Sequence, residues 1–478
     1  MKCLLAGVTR RISTSTYCVD SGPEVRVAEH LYNTLWGKDL NVILEEVSDD
    51  DGTTWKYVPE THINSLRMEV LGYPESRGLL VRPEYDIALG MLNDGYKTAK
   101  NHQRDGVVVT GQPGIGRTCF LYYLLLHKLS EMEPVALERP GFFILFHDGG
   151  VYTLPLNAEA EYIPDGTWAL SDGNDEPYQP CSVFRTASKR QTAWVIQTTS
   201  QVEARWRRWR KYSRADLFVM NHVSIEEITA LSKVFNLDVG NTQHLYGKWG
   251  PSAARTCLQL LLEGEEGLHE REVMKAAGHF VHDPHTIASL DESRVSGLLF
   301  SIQPMNLGRR VQIPEIATDH IKEIISYAAA DAVPQDQIKF FHSLSTKPSF
   351  RASAEKMFEG FVLSWLYTCP NAEPLRCFAT DQVDLEIPAC GKEQTIFFDN
   401  TNSSRSVNGD RLPSCLLPKA QTFPTACAIV ITDEFVITIQ VILSHRHETK
   451  GGDLDVMKEV IPPHVRRDKW RHVFITNN

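Results

Sequence analysis

No run of 18 apolar residues occurs anywhere in the 478-residue chain, which excludes a conventional membrane-spanning helix. The start, Met1-Lys-Cys-Leu-Leu-Ala-Gly-Val-Thr-Arg-Arg11, has too short an apolar core to read as a secretory signal. Ten cysteines are scattered singly with no C-x-x-C pair, so a disulfide framework and a cysteine-pair metal site are not expected. They read as reduced core residues, which favours a reducing compartment, cytoplasmic or nuclear. An excess of positive charge is also missing. With a net charge of -11 the chain has no general attraction to nucleic acid or to an anionic membrane, and any polyanion contact has to be local. What remains is ordinary globular composition, 42% hydrophobic and 23% charged, in a chain long enough for about three domains.

One stretch stands out from this background. Val107, Val108 and Val109 form a β-branched run suited to a buried parallel strand, and Gly111-Gln-Pro-Gly-Ile-Gly116 then leads into an apolar helix from Thr118 onward. The spacing of Gly111, Gly116, Arg117 and Thr118 follows the phosphate-binding pattern G-x-x-x-x-G-K-[ST], with arginine where lysine is usual. Gly111, Gly114 and Gly116 let backbone N–H groups curl around a phosphate, the helix N-terminus adds partial positive charge, and the Thr118 hydroxyl suits Mg²⁺. A nucleoside triphosphate such as ATP is the expected guest. Arg117 keeps the charge but exchanges a compact ammonium for a planar guanidinium, so binding is expected to survive while hydrolysis weakens.

The flanking chain reads as an α/β fold. Residues 1–77 read as an N-terminal α+β region of unknown role, with strand-like pieces such as Asn41-Val-Ile-Leu-Glu-Glu46 around an acidic turn at residues 49–52 and without evident site chemistry. Residues 78–221 form the expected nucleotide-binding core, opening with Leu79-Leu-Val-Arg-Pro-Glu-Tyr85 and an amphipathic helix. Strands are expected at Gly141-Phe-Phe-Ile-Leu-Phe146, Thr167-Trp-Ala-Leu-Ser-Asp172, Ala193-Trp-Val-Ile-Gln-Thr-Thr-Ser200 and Leu217-Phe-Val-Met220. Alternating with helices, they predict a doubly wound parallel sheet. Ligands bind at the carboxyl ends of such strands, which makes Asp172 the candidate Mg²⁺ carboxylate, with Asp175 and Glu176 as competitors. Thr198 or Thr199 could reach an attacking water. Residues 205–214 hold six basic residues among three aromatics, with Trp206, Trp209 and Arg210 on one helical face. That segment fits an arginine acting on a γ-phosphate, a stacking patch for nucleic acid, or a solvated helix docked by its tryptophans.

From Ser224, which with Glu227 spells a capping box, the pattern turns helical to about residue 345 and suggests a lid over 222–345. Within it a Gly-Pro turn opens a helix carrying Arg255. Residues 350–478 form a separate unit, with an apolar helix across 354–366 that holds Glu359, then strands across 423–442 turning at Thr432-Asp-Glu434. A helix-borne carboxylate, an acid on one strand and a polar pair on the next would make a metal-dependent nuclease site. Here the first strand has Cys427 in the acid's place, and Gln440 sits on the second. A buried hairpin without a site fits these residues equally well.

The stretches VVVTGQPGIGRTCFLYYLLL, TWALSDGN, AWVIQTTSQVEARWRRWRKY, KWGPSAARTC, MFEGFVLSWL, ITIQVILSHRH and KWRHVFIT, in that order, resemble the Crinkler-type proteins of fungi, themselves similar to the trypanosome retrotransposon hot spot proteins. The resemblance spans roughly residues 80–478. It implies an AAA+-like P-loop NTPase with a helical lid, followed by an α/β restriction-endonuclease-like domain. It further implies an effector secreted to a host cell and its nucleus, with DNA as target and host proteins or further copies of the chain as possible partners. By position, the family's phosphate-loop lysine falls on Arg117, its magnesium threonine on Thr118 and its strand-end acid on Asp172. The arginine finger falls within residues 205–210, led by Arg205, and the lid arginine on Arg255. In the nuclease-like domain the helix glutamate falls on Glu359, the core acid on Cys427, the strand glutamine on Gln440, and a threonine two residues on at Ile442. A thiol is a poor ligand for Mg²⁺, which prefers oxygen, so the expectation is a nucleotide-gated switch on a DNA-binding domain that does not cut. Two readings stand beside it: a non-catalytic interaction protein on a vestigial P-loop scaffold, and an active nuclease drawing its carboxylate from Asp433 or Glu434.

Overall fold

The chain divides into two compact units, one of residues 1–280 and 285–325, the other of residues 281–284 and 326–478. A computed structural model describes residues 22–49, 52–74, 77–102, 104–173, 179–251, 254–284, 294–305 and 308–346. Beyond these it describes 350, 354, 359–360, 362–363, 366, 375–377, 385–388, 390, 392–398, 412–418, 428–441 and 470–475. Asp175, Glu176, Cys427 and Ile442 lie outside the described residues.

In the first unit, helix α1 (Pro23–Leu35) precedes an antiparallel sheet of β1 (Glu45–Ser48), β2 (Thr54–Pro59) and β3 (Gly78–Leu80), with α2 (Glu60–Ser65) between the last two. Helices and strands both occur in this α+β region; α1 forms because proline sits at its first turn and Val27, Ala28, Leu31 and Leu35 bury one stripe. Part of the expected strand at 41–46 is a 3₁₀ turn, Leu40–Ile43, capped by the Asp39 carboxylate. Helix α3 (Pro83–His102) then leads to β4 (Gly106–Thr110), the strand of the phosphate-loop motif, and α4 (Arg117–Ser130) follows the glycine loop. Helix α4 is apolar nearly all round and correspondingly buried, from Phe120 to Leu126 without interruption.

The central sheet has seven strands: β4, β5 (Val135–Arg139), β6 (Phe142–His147), β7 (Gly150–Pro155), β8 (Thr167–Asp172), β9 (Ala193–Thr198) and β10 (Asp216–Val219). Their order is β10-β4-β9-β8-β5-β6-β7. Five strands, β10 to β5, run parallel, whereas β5, β6 and β7 form an antiparallel meander. The all-parallel expectation is corrected at this edge, and the reason is chain length. Two residues join β5 to β6 and two join β6 to β7, while a parallel partner needs a crossover of about a dozen or more. The Asp148-Gly149 connection is itself a hairpin signal.

Helices α5 (Ser182–Lys189) and α6 (Glu203–Ser213) pack on one sheet face with Val108, Val195, Leu217 and Val219. Helices α1, α3 and α4 pack on the other with Val107, Val109, Ile196 and Phe218. The alternation along β4 assigns successive valines to opposite cores, as a strand covered on both sides requires.

Helices α7 (Ile225–Val234), α8 (Val239–Trp249), α9 (Ala254–Glu263), α10 (Glu266–His282) and α11 (Arg294–Leu299) follow. The Ser224–Glu227 capping box is present in both directions at the start of α7. The expected purely helical stretch is interrupted by an antiparallel hairpin of β11 (Phe300–Pro304) and β12 (Gln312–Ile316) before α12 (Asp319–Asp331). Among the described residues no helix is long and apolar enough to cross a membrane.

In the second unit α13 (Pro334–Ser345) is followed by helical residues at 359–360 and 362–363, and by the strand pair β13 (Leu375–Cys377) and β14 (Leu385–Ile387). A five-stranded sheet runs β15 (Thr395–Phe398), β16 (Ser414–Pro418), β17 (Ala428–Ile431), β18 (Val436–Val441) and β19 (Trp470–Ile475) in that order. Strands β16, β17 and β18 form an antiparallel meander, with β15 and β19 parallel to its outer members. The turn at 432–435 is closed by Thr432, whose hydroxyl accepts from Phe435 N–H at 2.9 Å.

Candidate nucleotide-binding site

The glycine loop is held in a shape that only glycine tolerates. Gly116 caps α4 with φ +87°, and a Cβ there would meet the Tyr85 hydroxyl oxygen at 2.6 Å. Gly111 has φ +147°, and its Cβ would meet Ile115 Cδ1 at 2.7 Å. Tyr85 fixes the loop from outside by donating to Gly116 O at 2.9 Å. The result is a glycine loop at the head of a parallel sheet, at the N-terminus of a buried helix, a shape suited to an anion.

Thr118 in the first turn of α4 and Asp172 at the end of β8 meet: the hydroxyl donates to Asp172 Oδ2 at 3.0 Å. A hydroxyl and a carboxylate converging beside a phosphate loop are an oxygen donor set of the kind Mg²⁺ takes, completed by phosphate and water oxygens. These two expected residues are brought together although 54 positions separate them in the chain.

Arg117 is buried, at 8% exposure, and donates through Nη1 to the Thr199 carbonyl at the end of β9. Burial pushes its pKa down to about 10, against the pull of Asp172 and with the push of Arg205. It is therefore charged at neutral pH, and Arg117, Asp172 and Arg205 form one electrostatic group. Thr199 is fully buried and its hydroxyl donates to Gly173 O at 3.2 Å. The hydroxyls with unspent capacity are its neighbours: Thr198 Oγ1 and Ser200 Oγ are buried without a protein hydrogen-bond partner.

Beside the loop lies a cavity of about 520 Å³, lined by residues 113–119 on one side and by Leu79, Leu80, Leu231, Phe235, Leu258 and Leu262 on the other. The apolar wall comes from β3, α7 and α9, so the segment before the core and the helices after it close over the loop. Arg255 stands in the first turn of α9, three and four positions before Leu258 and Gln259, which line the cavity; its side chain lies outside the described residues.

Two residues that sequence reasoning passed over organise this site. Arg82 is 3% exposed; its guanidinium pairs with both Glu227 oxygens, at 3.0 and 2.9 Å, and donates to Ile115 O in the loop and His222 O after β10, each at 2.7 Å. Glu227 thus serves the capping box of α7 and the Arg82 clasp together. Gln112 is 1% exposed and grips β11 through its amide, donating to Phe300 O and accepting from Ile302 N–H, both at 3.0 Å. The available signal for Arg82 was an arginine before the proline that opens α3; nothing local marked Gln112.

Trp206 and Trp209, each 2% exposed, belong to the core beneath α6. The tryptophan seam is a dock for the helix, and these two rings are not stacking platforms.

In the second unit, Glu359 is half-buried in a helix whose Val362 and Leu366 share a core with Ile437 and Ile439. Gln440 alternates with Ile439 along β18 and so lies on the sheet's other face with Val436 and Thr438. Asp433 and Glu434 are exposed at the turn.

The fold and site define a mixed α/β protein whose glycine loop has the spacing of a phosphate-binding motif. No protein-family model matches the chain. Over 94 residues it is 32% identical to Crinkler effector proteins 15 and 16 of Phytophthora infestans, a stretch of 17% of this chain. The chain spans only 15% of the length of those relatives, which belong to an oomycete rather than to a fungus as the resemblance had suggested. Among solved structures, DnaA of Aquifex aeolicus bound to AMPPCP covers 59% of this chain and 92% of its own at 8% identity and TM-score 0.24. A DNA replication initiation factor covers 59% and 94% at 12% identity and TM-score 0.26. Neither score reaches the level of a shared fold.

Proposed function

We propose that the protein is a Crinkler-like effector built on an ATP-binding, AAA+-like P-loop switch, with residues 78–221 as NTPase core and 222–345 as lid. The observation that carries this reading is the Thr118–Asp172 pair at the mouth of the glycine loop, beside a cavity walled by apolar residues. The loop amides and Arg117 hold the phosphates, and the apolar wall takes the base. Thr118 and Asp172 would hold Mg²⁺, which supplies neutralisation of phosphate charge. Thr198 or Thr199 orients water, and Arg205 or Arg255 stabilises charge that develops on the γ-phosphate. Arg117 turned onto the Thr199 carbonyl supports weak turnover, because a guanidinium spent on the protein is less able to follow the transferring phosphate.

The same reading assigns residues 350–478 to a restriction-endonuclease-like domain that binds DNA without cutting it, acting in a host nucleus after secretion, with host proteins or further copies of the chain as partners. The helix of Glu359 packs through Val362 and Leu366 with Ile437 and Ile439, while Gln440 alternates to the other face of its strand, which argues against the two sharing one metal site.

ATP binding and turnover with Mg²⁺ should be measured for the wild type beside Arg117→Lys and Thr118→Ala. The reading expects binding with little turnover, turnover raised by lysine, and Mg²⁺-dependent binding weakened at least about tenfold by alanine, the scale of ~1.4 kcal/mol. Failure of all three proteins to bind nucleotide would reduce the loop to a scaffold turn and leave an interaction protein.

A further inference from the structure

The chain is acidic overall, yet one layer of the first unit is almost purely basic. Residues 182–190 and 203–214, which are α5, α6 and their C-terminal caps, carry nine lysines and arginines against one acid, Glu203. Both helices cover the same sheet face, over the neighbouring strands β9 and β4, so their outer sides form one surface. Buried Val183, Phe184, Ala187, Trp206 and Trp209 pin the layer from below. Above, Arg185, Lys189, Arg190, Arg207, Arg208, Lys211 and Arg214 are exposed. Internal neutralisation is partial: Asp105 acts on Lys189 and Arg214, and Glu138 on Arg185. Arg190 pairs with Glu161, and Arg207 reaches Glu203 at 3.7 Å, while Arg208 and Lys211 have no acidic partner among the described residues.

We propose that the α5–α6 layer is a docking surface for the phosphodiester backbone of nucleic acid. Keeping nine cations together in a chain of net charge -11 costs mutual repulsion that a polyanion would relieve. Seven of the nine are arginines, whose planar forks match phosphate oxygens two at a time. On α6, Arg207, Lys211 and Arg214 recur at intervals of four and three, so they line one helical edge, with Arg208 beside them. A protein partner of acidic character fits less well, because protein interfaces are built around an apolar or aromatic centre. Here Tyr212, 72% exposed, is the one large exposed hydrophobic residue on either helix among the described residues. The site is separate from the nucleotide cavity, none of whose lining residues it uses apart from proximity of Arg205 to Arg117. All of its residues belong to the first unit.

The test titrates full-length protein into fluorescently labelled oligonucleotides of mixed sequence, duplex in one arm and single-stranded in the other, across a range of salt. The variants are the triple reversal Arg207→Glu/Arg208→Glu/Lys211→Glu and a control on α10, Arg271→Glu/Lys275→Glu. For the wild type the logarithm of affinity falls linearly with the logarithm of salt. The triple reversal should weaken binding at least about tenfold and flatten that slope by about 2 to 3, as loss of three phosphate contacts requires, while the control leaves both unchanged. Circular dichroism and the ATP-induced melting shift, equal in all proteins, exclude misfolding as the cause. The arm with the steeper slope identifies duplex or single strand as the source of the backbone. An unchanged slope in the triple reversal overturns the proposal, even if the second unit binds DNA by itself. So does poly-glutamate binding as tightly as nucleic acid, which would assign the surface to acidic proteins.

Discussion

The two candidate sites of this chain are built in opposite ways. In the first unit, residues far apart in sequence converge: Thr118 reaches Asp172 on β8, and Arg82 joins the glycine loop, the end of β10 and the start of α7 through one guanidinium. In the second, Glu359 and Gln440 belong to different sides of one sheet. The difference teaches that a local strand-loop-helix motif can gather distant residues around it when buried polar groups hold its surroundings, whereas a constellation without such an anchor depends on each element keeping its face. One site is clamped by buried polar groups. The other rests on the apolar core around Ile437 and Ile439, with local polar contacts such as Thr438 to Arg471 O beside it.

The sharpest way to break this contrast is to remove the clamp. Arg82→Met leaves the Glu227 carboxylate buried without its cation, together with the Ile115 and His222 carbonyls, and loss of one partner from a buried pair typically costs about 3 to 5 kcal/mol. Glu359→Gln, by contrast, alters a half-buried residue outside such a network and should stay within about 0.5 kcal/mol. Urea denaturation of both variants reads the difference. Equal midpoints would mean that Arg82 is not the clamp the geometry describes. Replacing both members together, Arg82→Met with Glu227→Leu, should recover part of the loss, since no charge is then left unpaired.

How much of this was legible in the chain itself depends on range. The loop, its strand and its helix were readable because glycine spacing, β-branched residues and an apolar run are all local signals. Asp172 was readable because strand ends beside such a loop are where carboxylates serve, and the Ser224–Glu227 box because it spans three residues. The β5–β6–β7 meander was misjudged although its two-residue connections already forbade parallel pairing. The second role of Glu227, the grip of Gln112 on β11 and the apolar wall of the cavity were not readable at all. Each joins residues more than a hundred positions apart, as Arg82 and Glu227 are by 145 and Gln112 and Phe300 by 188, and no periodicity encodes such a pairing. The basic layer was half readable. Residues 205–214 announce themselves, but only the sheet order brings α5 beside them.

A smaller perturbation sharpens the comparison within the first unit, by asking whether the loop is wired to the β11–β12 hairpin. Gln112→Ala removes both amide bonds to β11 and leaves Phe300 O and Ile302 N–H without their partner, a local cost of about 1 to 3 kcal/mol. Hydrogen exchange read at the Ile302 amide should accelerate, and any change in its protection that nucleotide causes in the wild type should be lost. Gln112→Glu keeps an acceptor for Ile302 N–H and loses the donor to Phe300 O, so its effect on that amide should be smaller than that of alanine. If both variants exchange like the wild type, β11 is held by other contacts and the loop does not report to it. The wiring matters because β12 leads within three residues into α12, along which the chain passes from the first unit to the second.

The smallest effect is a pH dependence carried by His222. Its Nε2 faces Ile302 O at 2.6 Å, so the buried neutral ring donates to the same strand that Gln112 grips. Burial lowers its pKa below the ordinary histidine value, with Arg82 pushing the same way and the Ile302 carbonyl opposing. The unfolded chain therefore binds a proton more readily than the folded one, and the stability held by neutral His222 is present above the ordinary value and lost as pH falls through the folded one. Glu84, raised by burial in spite of the Asn221 N–H, Arg309 and Arg82, works in the opposite sense, so the whole-protein profile mixes the two. His222→Gln separates them, since it retains a donor for Ile302 O and leaves Glu84 in place. Between about pH 7.5 and about pH 5.5, which brackets the ordinary histidine value, the wild type should lose stability relative to His222→Gln, by less than Gln112→Ala costs. Parallel profiles for the two proteins would mean that the ring is already solvated, and that the hairpin is tied to the loop by Gln112 without help from the end of β10.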